Sequence, residues 1–368
     1  MNENELRLNC VESVRKDSSQ GHIVYLAFND GIKGKLTFLE EDIFRYDVDP
    51  EGEFAVYAKP VEEKHSARIQ QRPDEADAYT KPEAEVRELG KEIIILCKDT
   101  CISFDKETAK MQIRLKERIV MEEAKGLTIK DNASVQTLIP QRDEDFYGGG
   151  TQNGRFLHTG KKIQIVNESG WMDGGVASPN PFYLSTAGYG VLRNTFAEGS
   201  YDFGAEGEFI LTEHKENKFS AYYFLSCAKD KRSKVQELLK GYYHVTGNPM
   251  LLPEYGFYEG HLNCYNRDAW SEESGSKAWI VKGSSPHTSE GRTRYESGMA
   301  TGYRLTDNLH SESLNGEKPY IATENYPETV DTPYEYSARA VIEEYLHYDM
   351  PLGYFLPNDG YGGGYGQN

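Results

Sequence analysis

The chain has 368 residues, of which 41 are Lys or Arg and 59 are Asp or Glu, and a length of this order predicts two domains. Its formal charge of -18 argues against nucleic acids and anionic membranes as partners, because binding to phosphate groups needs clustered Lys and Arg. Hydrophobic residues make up 38% of the chain, and their longest runs fall far short of the roughly 20 residues of a membrane-spanning helix.

Cysteine usage and the N-terminal residues bear on the cellular compartment. Five cysteines in a chain of this length are thinly spread and odd in number, which is typical of reduced thiols and not of a disulfide framework. The first twenty residues contain no apolar segment of a secretory signal, so we expect a cytoplasmic protein. Ligand spacing typical of a metal site is missing from the sequence, and we expect neither a metal nor a cofactor.

Residues 1–250 are predicted to form a β-sandwich. Short apolar and β-branched runs recur between Gly, Asp, Asn and Pro residues, for example at 22–28, 92–97 and 111–115. Alternation in the last of these runs places Met111, Ile113 and Leu115 on one face of a strand. The chain also contains 26 tyrosines, whose apolar ring and hydroxyl suit sugar binding and β-sheet cores alike.

Two local features of this region lead to further expectations. Residues 60–85 are rich in charge, poor in large aliphatic side chains and interrupted by Pro73 and Pro82, so they are predicted to form an exposed loop. Cys97 and Cys101 are four residues apart, and we expect them to share one face of a strand within the core.

A helix and then a strand-helix-strand pattern follow the sandwich. Apolar residues at helical spacing predict a helix from Asp230 to His244, which the Thr246 to Pro249 segment ends. Further strands are predicted at Tyr255–Tyr258 and Leu352–Leu356, with a helix between them from Pro333 to Tyr348.

This pattern indicates the first βαβ unit of a (β/α)₈ barrel, so we assign residues 251–368 to the start of a second domain. The predicted fold is therefore mostly β, an N-terminal β-sandwich followed by the beginning of a truncated barrel. A polar insertion at about 271–331 interrupts that unit. An ordered insertion beside a binding face and a disordered spacer are both compatible with its composition.

Several blocks of sequence, in this order, resemble glycoside hydrolase family 31, a family of retaining α-glycosidases and transglycosidases. They are Phe146-Tyr147-Gly148-Gly149-Gly150, Pro181-Phe182-Tyr183-Leu184-Ser185, Gly188-Tyr189-Gly190-Val191-Leu192, Thr246-Gly247-Asn248-Pro249 and Met350-Pro351-Leu352-Gly353. The loops around Asn153, Trp171 and Asn358 are most similar to the bacterial branch acting on α-glucans, which includes isomaltosyl and glucosyl transferases and cycloalternan-degrading enzymes. The resemblance implies an α-linked oligosaccharide as the ligand.

The resemblance also implies what the chain lacks. Retaining glycosidases use two carboxyl groups about 5–5.5 Å apart, and in this family both follow later barrel strands, the nucleophile lying in a motif similar to WxDMNE. That motif does not occur in the sequence, and the residues after Pro253 are fewer than half of the about 250 of a whole barrel. We therefore expect the N-terminal part of a longer enzyme, with no catalytic residues and no hydrolytic activity in isolation.

Substrate-binding residues can still be proposed. The resemblance implies that Asp359, after the second barrel strand, binds sugar hydroxyls, although Asn-Asp-Gly is also good turn chemistry. It further implies that the loop Glu168 to Asn180 of the sandwich reaches over the barrel. The complete set of expected substrate-binding residues is Asp359, Asn358, Tyr361, Trp171, Asp173, Tyr258 and His261.

Other functions remain open on the sequence. An α-N-acetylgalactosaminidase branch of the family shares similar residues in the Asn358 loop, and a non-catalytic carbohydrate-binding sandwich fits the tyrosine content. Nucleotide binding is disfavoured, because the glycine runs at 148–150 and 362–364 do not fit a GxGxxG turn or a P-loop. No feature of the sequence predicts an oligomeric state.

Overall fold

A computed structural model of the chain describes residues 5–54, 78–130, 132–167, 173–258, 270–279, 299–305, 346 and 348–354. The chain divides into two units, Met1–Pro249 and Met250–Asn368. The described part of the first unit consists mostly of antiparallel strands, so a β-sandwich at this end of the chain fits the structure.

One layer of the first unit is an eight-stranded antiparallel sheet. Its order brings the first strands of the chain beside strands that lie about 180 residues later, through the pairing of Ile43–Asp49 with Phe219–Leu225. In spatial order the strands are β13 (Phe146–Gln152), β15 (Val176–Ser185), β16 (Tyr189–Arg193), β19 (Phe219–Leu225), β5 (Ile43–Asp49), β4 (Lys33–Phe38), β3 (Ile23–Phe28) and β2 (Val11–Lys16).

Two smaller sheets form the other layer. The six-stranded sheet is β1 (Glu5–Arg7), β11 (Thr128–Lys130), β12 (Ala133–Leu138), β18 (Ile210–His214), β17 (Gly199–Phe203) and β14 (Lys162–Ile165). The five-stranded sheet is β10 (Arg118–Glu122), β9 (Met111–Leu115), β8 (Thr100–Asp105), β7 (Glu92–Cys97) and β6 (Glu85–Leu89). Backbone hydrogen bonds from Ala124 N to Thr137 O and from Ile139 N to Glu122 O, both 2.9 Å, join the two sheets edge to edge.

The main core lies between these layers. Phe104 of the five-stranded sheet packs edge-on against Phe28, with ring centroids 6.3 Å apart. Tyr201 of the six-stranded sheet packs in the same way against Tyr183, with centroids 5.3 Å apart. Phe44 and Tyr223 stack in parallel within the eight-stranded sheet. Since all these rings are buried, the tyrosine-rich composition serves the core of this fold.

The outer face of the eight-stranded sheet is covered in part by helix α1 (Lys231–Thr246). Asp230 caps the helix N-terminus, its Oδ1 accepting a hydrogen bond from Ser233 N at 2.9 Å. Leu238 and Val245 are buried against Phe182, Tyr222 and Phe224, members of a second apolar cluster. The predicted helix is confirmed, because capping and amphipathic spacing are local properties of the sequence.

The glycine run of β13 has a packing function. A Cβ at Gly148 would overlap the carbonyl oxygen of Phe182, and a Cβ at Gly150 would overlap that of Ser178, both on the neighbouring strand β15. All three glycines of the run also have φ between 76° and 118°, which other residues rarely adopt. This close approach of two backbones, across a strand pair with two register shifts, accounts for the run without a nucleotide.

The structure bears on two local predictions for the first unit, the exposed loop and the shared face of Cys97 and Cys101. Residues 60–77, most of the predicted exposed loop at 60–85, lie outside the described residues, but Tyr79 and Ala84 near its end are buried. The expectation for Cys101 is wrong, because Cys97 ends β7 and Cys101 follows a hairpin turn into β8. Cys101 pairs with Leu96 and not with Cys97, so it faces the opposite side of the sheet and is partly exposed.

In the second unit, the structure differs from the prediction at the first expected barrel strand. Residues Glu254–Phe257 form a 3₁₀ helix. Pro253 O accepts a hydrogen bond from Gly256 N at 2.9 Å, and the Tyr258 hydroxyl donates to Glu254 Oε1 at 2.6 Å. The apolar side chains of this segment, Tyr255 at 55% and Phe257 at 74% exposure, are not buried in a core that would favour an extended strand.

Further along the second unit, strands β20 (Trp270–Trp279) and β21 (Met299–Leu305) pair in antiparallel orientation, with a register shift between Glu272 and Lys277. Both strands lie within or at the edge of the segment predicted as a polar insertion. The predicted helix from Pro333 to Tyr348 lies almost wholly outside the described residues. The last two residues of the predicted strand Leu352–Leu356 also lie outside them. The barrel therefore stays a prediction.

Candidate functional site

Two paired loops at the end of β13 contain Asp173, one of the two sandwich residues expected to bind substrate. Asn153 N donates to Gly175 O at 2.9 Å and Gly174 N donates to Asn153 O at 2.8 Å, so the two segments are paired through their backbones. Arg155 N donates to Gln152 O at 2.9 Å and tightens the turn. These bonds fix the backbone on which Asp173 stands.

The carboxylate of Asp173 lies directly over Gly154. A Cβ at Gly154, whose φ is 69°, would overlap Asp173 Oδ1. The guanidinium of Arg155 lies over Gly174 in a similar way. Asp173 is exposed, so its oxygens are available to accept hydrogen bonds from a hydroxyl-bearing ligand.

A groove of about 710 Å³ lies beside the strand that follows this loop, within the size range of small-molecule sites. Its walls are made by β15, by the end of β14, by the connection between β16 and β17 and by the residue after β18. The apolar lining is Ile165, Pro179, Pro181, Phe196 and Ala197, and the polar lining is Asn167, Ser178, Thr195, Glu198 and Lys215.

Phe196 is the aromatic side chain of this groove and is 56% exposed. Its backbone is held on both sides, because Asn194 N donates to Ser220 O at 2.9 Å and Lys215 N donates to Glu198 O at 2.8 Å. Ala197 N also donates to Thr195 Oγ1 at 2.9 Å. The backbone around Phe196 is therefore fixed by hydrogen bonds, while its apolar ring is exposed to solvent.

Behind this connection lies a buried imidazole, that of His214. Its Nδ1 is 2.9 Å from Ala197 O and its Nε2 is 2.9 Å from the Tyr201 hydroxyl. Since a carbonyl only accepts, Nδ1 donates and Nε2 accepts from Tyr201, which is the neutral tautomer. Burial, with the nearby Arg193 charge, lowers the pKa of His214 to about 3.

Arg193 is the centre of this polar cluster between the layers. Its side chain is fully buried, with Nη2 2.7 Å from Ser134 Oγ and 3.5 Å from Glu216 Oε1. The guanidinium also lies 4.2 Å from the Phe219 ring centroid. Glu216 in turn accepts a hydrogen bond from Thr195. Through Thr195 and His214 the cluster fixes the Phe196 connection.

A second polar cleft, of about 380 Å³, lies over the five-stranded sheet near its join to the six-stranded sheet. Glu123 lines it and is 2% exposed, accepting hydrogen bonds from Met111 N at 2.9 Å and Gln136 Nε2 at 2.8 Å. Burial raises the pKa of this carboxyl to about 7. A single raised carboxyl without a paired acid does not make a glycosidase centre.

The structure locates two of the seven residues expected to bind substrate. Asp173 stands in the loop pair, whereas Tyr258 follows the 3₁₀ helix and is 39% exposed, not at the end of a strand. The other five, Trp171, His261, Asn358, Asp359 and Tyr361, lie outside the described residues. The structure therefore leaves the expected set a prediction.

Sequence reasoning did not single out the groove around Phe196. Its lining comes from four separate strands and connections, and no local pattern links them. Among the described residues, no group of three or more His, Cys, Asp or Glu is arranged to hold a metal ion. Nor does any described helix have the length and apolar character to cross a membrane.

Solved structures with a similar fold are glycoside hydrolases of family 31 and related enzymes. The structure resembles a family 31 dextranase of Flavobacterium johnsoniae complexed with glucose, with TM-score 0.60 and 14% identity over 72% of this chain and 31% of that one. It also resembles the cycloalternan-forming enzyme of Listeria monocytogenes complexed with a pentasaccharide substrate, with TM-score 0.57 and 17% identity over 72% of this chain and 24% of that one. At these identities the likeness concerns the fold.

The sequence comparison gives the family to which the N-terminal portion is similar. Residues 33–202 match the model of the glycosyl hydrolase 31 N-terminal galactose mutarotase-like domain. The resemblance to glycoside hydrolase family 31 is thus confirmed for the N-terminal portion of the chain, over the residues that match this model.

Curated relatives agree with this assignment. An α-xylosidase of Emericella nidulans is 30% identical over 115 residues, covering 31% of this chain and 14% of its own length. An α-xylosidase of Lactiplantibacillus pentosus is 29% identical over 133 residues, covering 36% of this chain and 17% of its own length. The matched part is therefore less than one fifth of either relative.

Proposed function

We propose that this chain provides the N-terminal domain of a retaining α-glycosidase or transglycosidase that acts on α-linked oligosaccharides of glucose. The observation that carries the proposal is the match of residues 33–202 to the mutarotase-like domain of family 31. A dextranase and a cycloalternan-forming enzyme among the similar structures support a ligand built from glucose.

The domain's part in such an enzyme is substrate contact. The loop that contains Trp171 and Asp173 would contact the sugar. The indole of Trp171 would stack on an apolar sugar face, and the carboxylate of Asp173 would accept a hydrogen bond from a sugar hydroxyl. Asn358, Asp359 and Tyr361, with Tyr258 and His261, would provide further contacts to the sugar. The fixed backbone around Gly154 supports this role for Asp173, because a pre-positioned acceptor loses little freedom on binding.

The chemical step itself would depend on residues that the 368-residue chain does not contain. No WxDMNE-like motif occurs in the sequence, and the paired carboxyl groups of a retaining mechanism must stand in one site. We therefore expect no hydrolysis by the purified chain. Measurable turnover of an aryl α-glycoside by this polypeptide would contradict the expectation.

A second candidate substrate is an α-xyloside, which the two α-xylosidases among the curated relatives favour. The test sequences the gene beyond codon 368 for a DMNE-like motif and assays its whole product on isomaltose, nigerose, cycloalternan and aryl α-xyloside. Cleavage of the glucosides supports the α-glucan proposal, and cleavage of the xyloside alone supports the second candidate.

An aryl α-galactosaminide is added to the same assay because of the related branch with that specificity. Activity on this substrate alone would overturn the α-glucan proposal. A stop codon at 368, together with saccharide binding but no activity, would instead favour a non-catalytic carbohydrate-binding sandwich.

A further inference from the structure

We propose that the groove around Phe196, which adjoins the loop of Asp173, is a second saccharide-binding site that takes a neutral α-linked oligosaccharide. The proposal rests on the proposed function for the class of sugar. It rests on the groove's own lining for the location and for the neutrality of the ligand.

The lining has the two chemical surfaces that a sugar ring presents. Phe196 and the prolines Pro179 and Pro181 offer apolar surface to the C–H face of a pyranose. Asn167 and Ser178 also line the groove, are exposed, and can exchange hydrogen bonds with hydroxyl groups. A volume of about 710 Å³ is large enough for more than one sugar ring.

The charges at the rim favour a neutral ligand over an ionic one. Lys215 Nζ lies 2.7 Å from Glu198 Oε2, so the charged side chains of the lining offset each other. An anionic ligand would have to displace Glu198, and a cationic one would have to displace Lys215. The chain's overall charge of -18 further disfavours an acidic polysaccharide.

The backbone that lines the groove is fixed by hydrogen bonds to buried polar groups. The exposed Phe196 is flanked by Thr195 and Ala197, and Ala197 O accepts from the buried His214 at 2.9 Å. Thr195 donates to Glu216, which pairs with the fully buried Arg193. The backbone that carries the Phe196 ring is fixed by buried polar groups, so ligand binding costs little additional ordering of that backbone.

The test is calorimetric titration of the 368-residue chain with isomaltotriose, a neutral α-linked trisaccharide. We expect Phe196→Ala to weaken binding about tenfold and Phe196→Tyr, which keeps the ring, to retain it. Phe209→Ala is the matched control, because Phe209 is 48% exposed but does not line the groove. Thermal melting of each variant confirms that it is folded.

Three outcomes would overturn the proposal. The first is equal binding by Phe196→Ala and Phe209→Ala. The second is no binding by the wild-type chain. The third is a change of oligomeric state in Phe196→Ala, measured by sedimentation, with binding unaltered, which would assign the groove to self-association.

An additional variant distinguishes failure of the second-site proposal from failure of the proposed function. Asp173→Ala removes the acceptor of the loop pair and leaves the groove intact. Binding lost in Asp173→Ala but kept in Phe196→Ala would overturn the second site and support the proposed function. Binding lost in Phe196→Ala but kept in Asp173→Ala supports the second site, whatever the whole product cleaves.

Discussion

Arg193 and Glu216 form an ion pair inside the sandwich, with Nη2 and Oε1 3.5 Å apart and only the glutamate in partial contact with solvent. Arg193→Met would leave the Glu216 charge uncompensated and is expected to lower the free energy of unfolding by about 3–5 kcal/mol. Urea denaturation measures this change. The double variant Arg193→Met with Glu216→Gln should recover part of the loss.

A surface pair provides the control for that experiment. Lys215 and Glu198 lie 2.7 Å apart but are 68% and 58% exposed, and solvent weakens such pairs. Lys215→Met should leave the urea midpoint almost unchanged. An Arg193→Met protein with the wild-type midpoint would show that the buried pair does not hold the layers together.

The buried His214 predicts sensitivity to acid. Its pKa is about 3 in the folded chain against 6.5 for an ordinary histidine, so between these values the unfolded chain binds a proton that the folded chain does not. The free energy of unfolding therefore rises with pH across this window, and the stability present above pH 6.5 is lost on acidification.

His214→Asn retains a donor for Ala197 O and removes the titration. It should flatten the pH dependence of unfolding between about pH 3 and 6.5, measured by denaturant titration at several pH values. His244→Asn, at a side chain that is 45% exposed, is the control. Parallel slopes for wild type and His214→Asn would argue against a neutral, buried imidazole.

Glu123 predicts the opposite slope. Its pKa is raised from 4.5 to about 7, so between these values the folded chain binds the additional proton and stability falls as pH rises. Glu123→Gln should abolish this fall, which is on the order of 3 kcal/mol over the window. The slope is the readout, since glutamine also alters the bonds to Met111 and Gln136.

The partly exposed neighbour Glu122 offers a matched control for Glu123. Glu122→Gln removes one carboxylate from the same cleft without changing a buried group. Its pH dependence should match the wild type. If both variants shift the slope equally, the titration belongs to the cleft as a whole and not to Glu123.

Gly154→Ala tests the contact between Gly154 and Asp173. Gly160 has a similar φ of 71° against 69°, and a Cβ there would meet nothing within 4 Å. Both alanine variants should lose about 1 kcal/mol through the positive φ. Only Gly154→Ala should displace Asp173 and weaken isomaltotriose binding at the loop. Equal binding by the two variants would remove Asp173 from the ligand site.

Local patterns in the sequence were sufficient for much of the first unit. The predicted runs 92–97 and 111–115 coincide with β7 and β9, because alternation of buried and exposed residues is a property of each strand. Helix α1 carried its own cap at Asp230. The division of one layer into two sheets depends on pairings between distant strands, which no local pattern specifies.

The remaining differences have physical causes at particular residues. Aromatic residues at Tyr255–Tyr258 suggested a strand, but without burial the segment closes on its own hydrogen bonds as a 3₁₀ helix. The Phe196 groove depends on the meeting of β15 with the β16–β17 connection, which only the fold reveals. In the segment Arg193 to Phe196, three polar residues are buried and the aromatic residue that follows them is exposed. This inverted pattern is the sequence feature that points to the groove.

The edge-to-edge join between the five- and six-stranded sheets gives the sandwich a modular construction. A short backbone contact near Glu122 to Ala124 and Thr137 to Ile139, with the Gln136–Glu123 side-chain bond, connects the two sheets, whereas the eight-stranded sheet opposite them is continuous. Length changes in the hairpins of β6 to β10 can thus accumulate without altering the register of β11 to β18. The six-stranded half of the layer, whose strands β14 and β18 end beside the groove, then keeps its strand pairing when the five-stranded half changes.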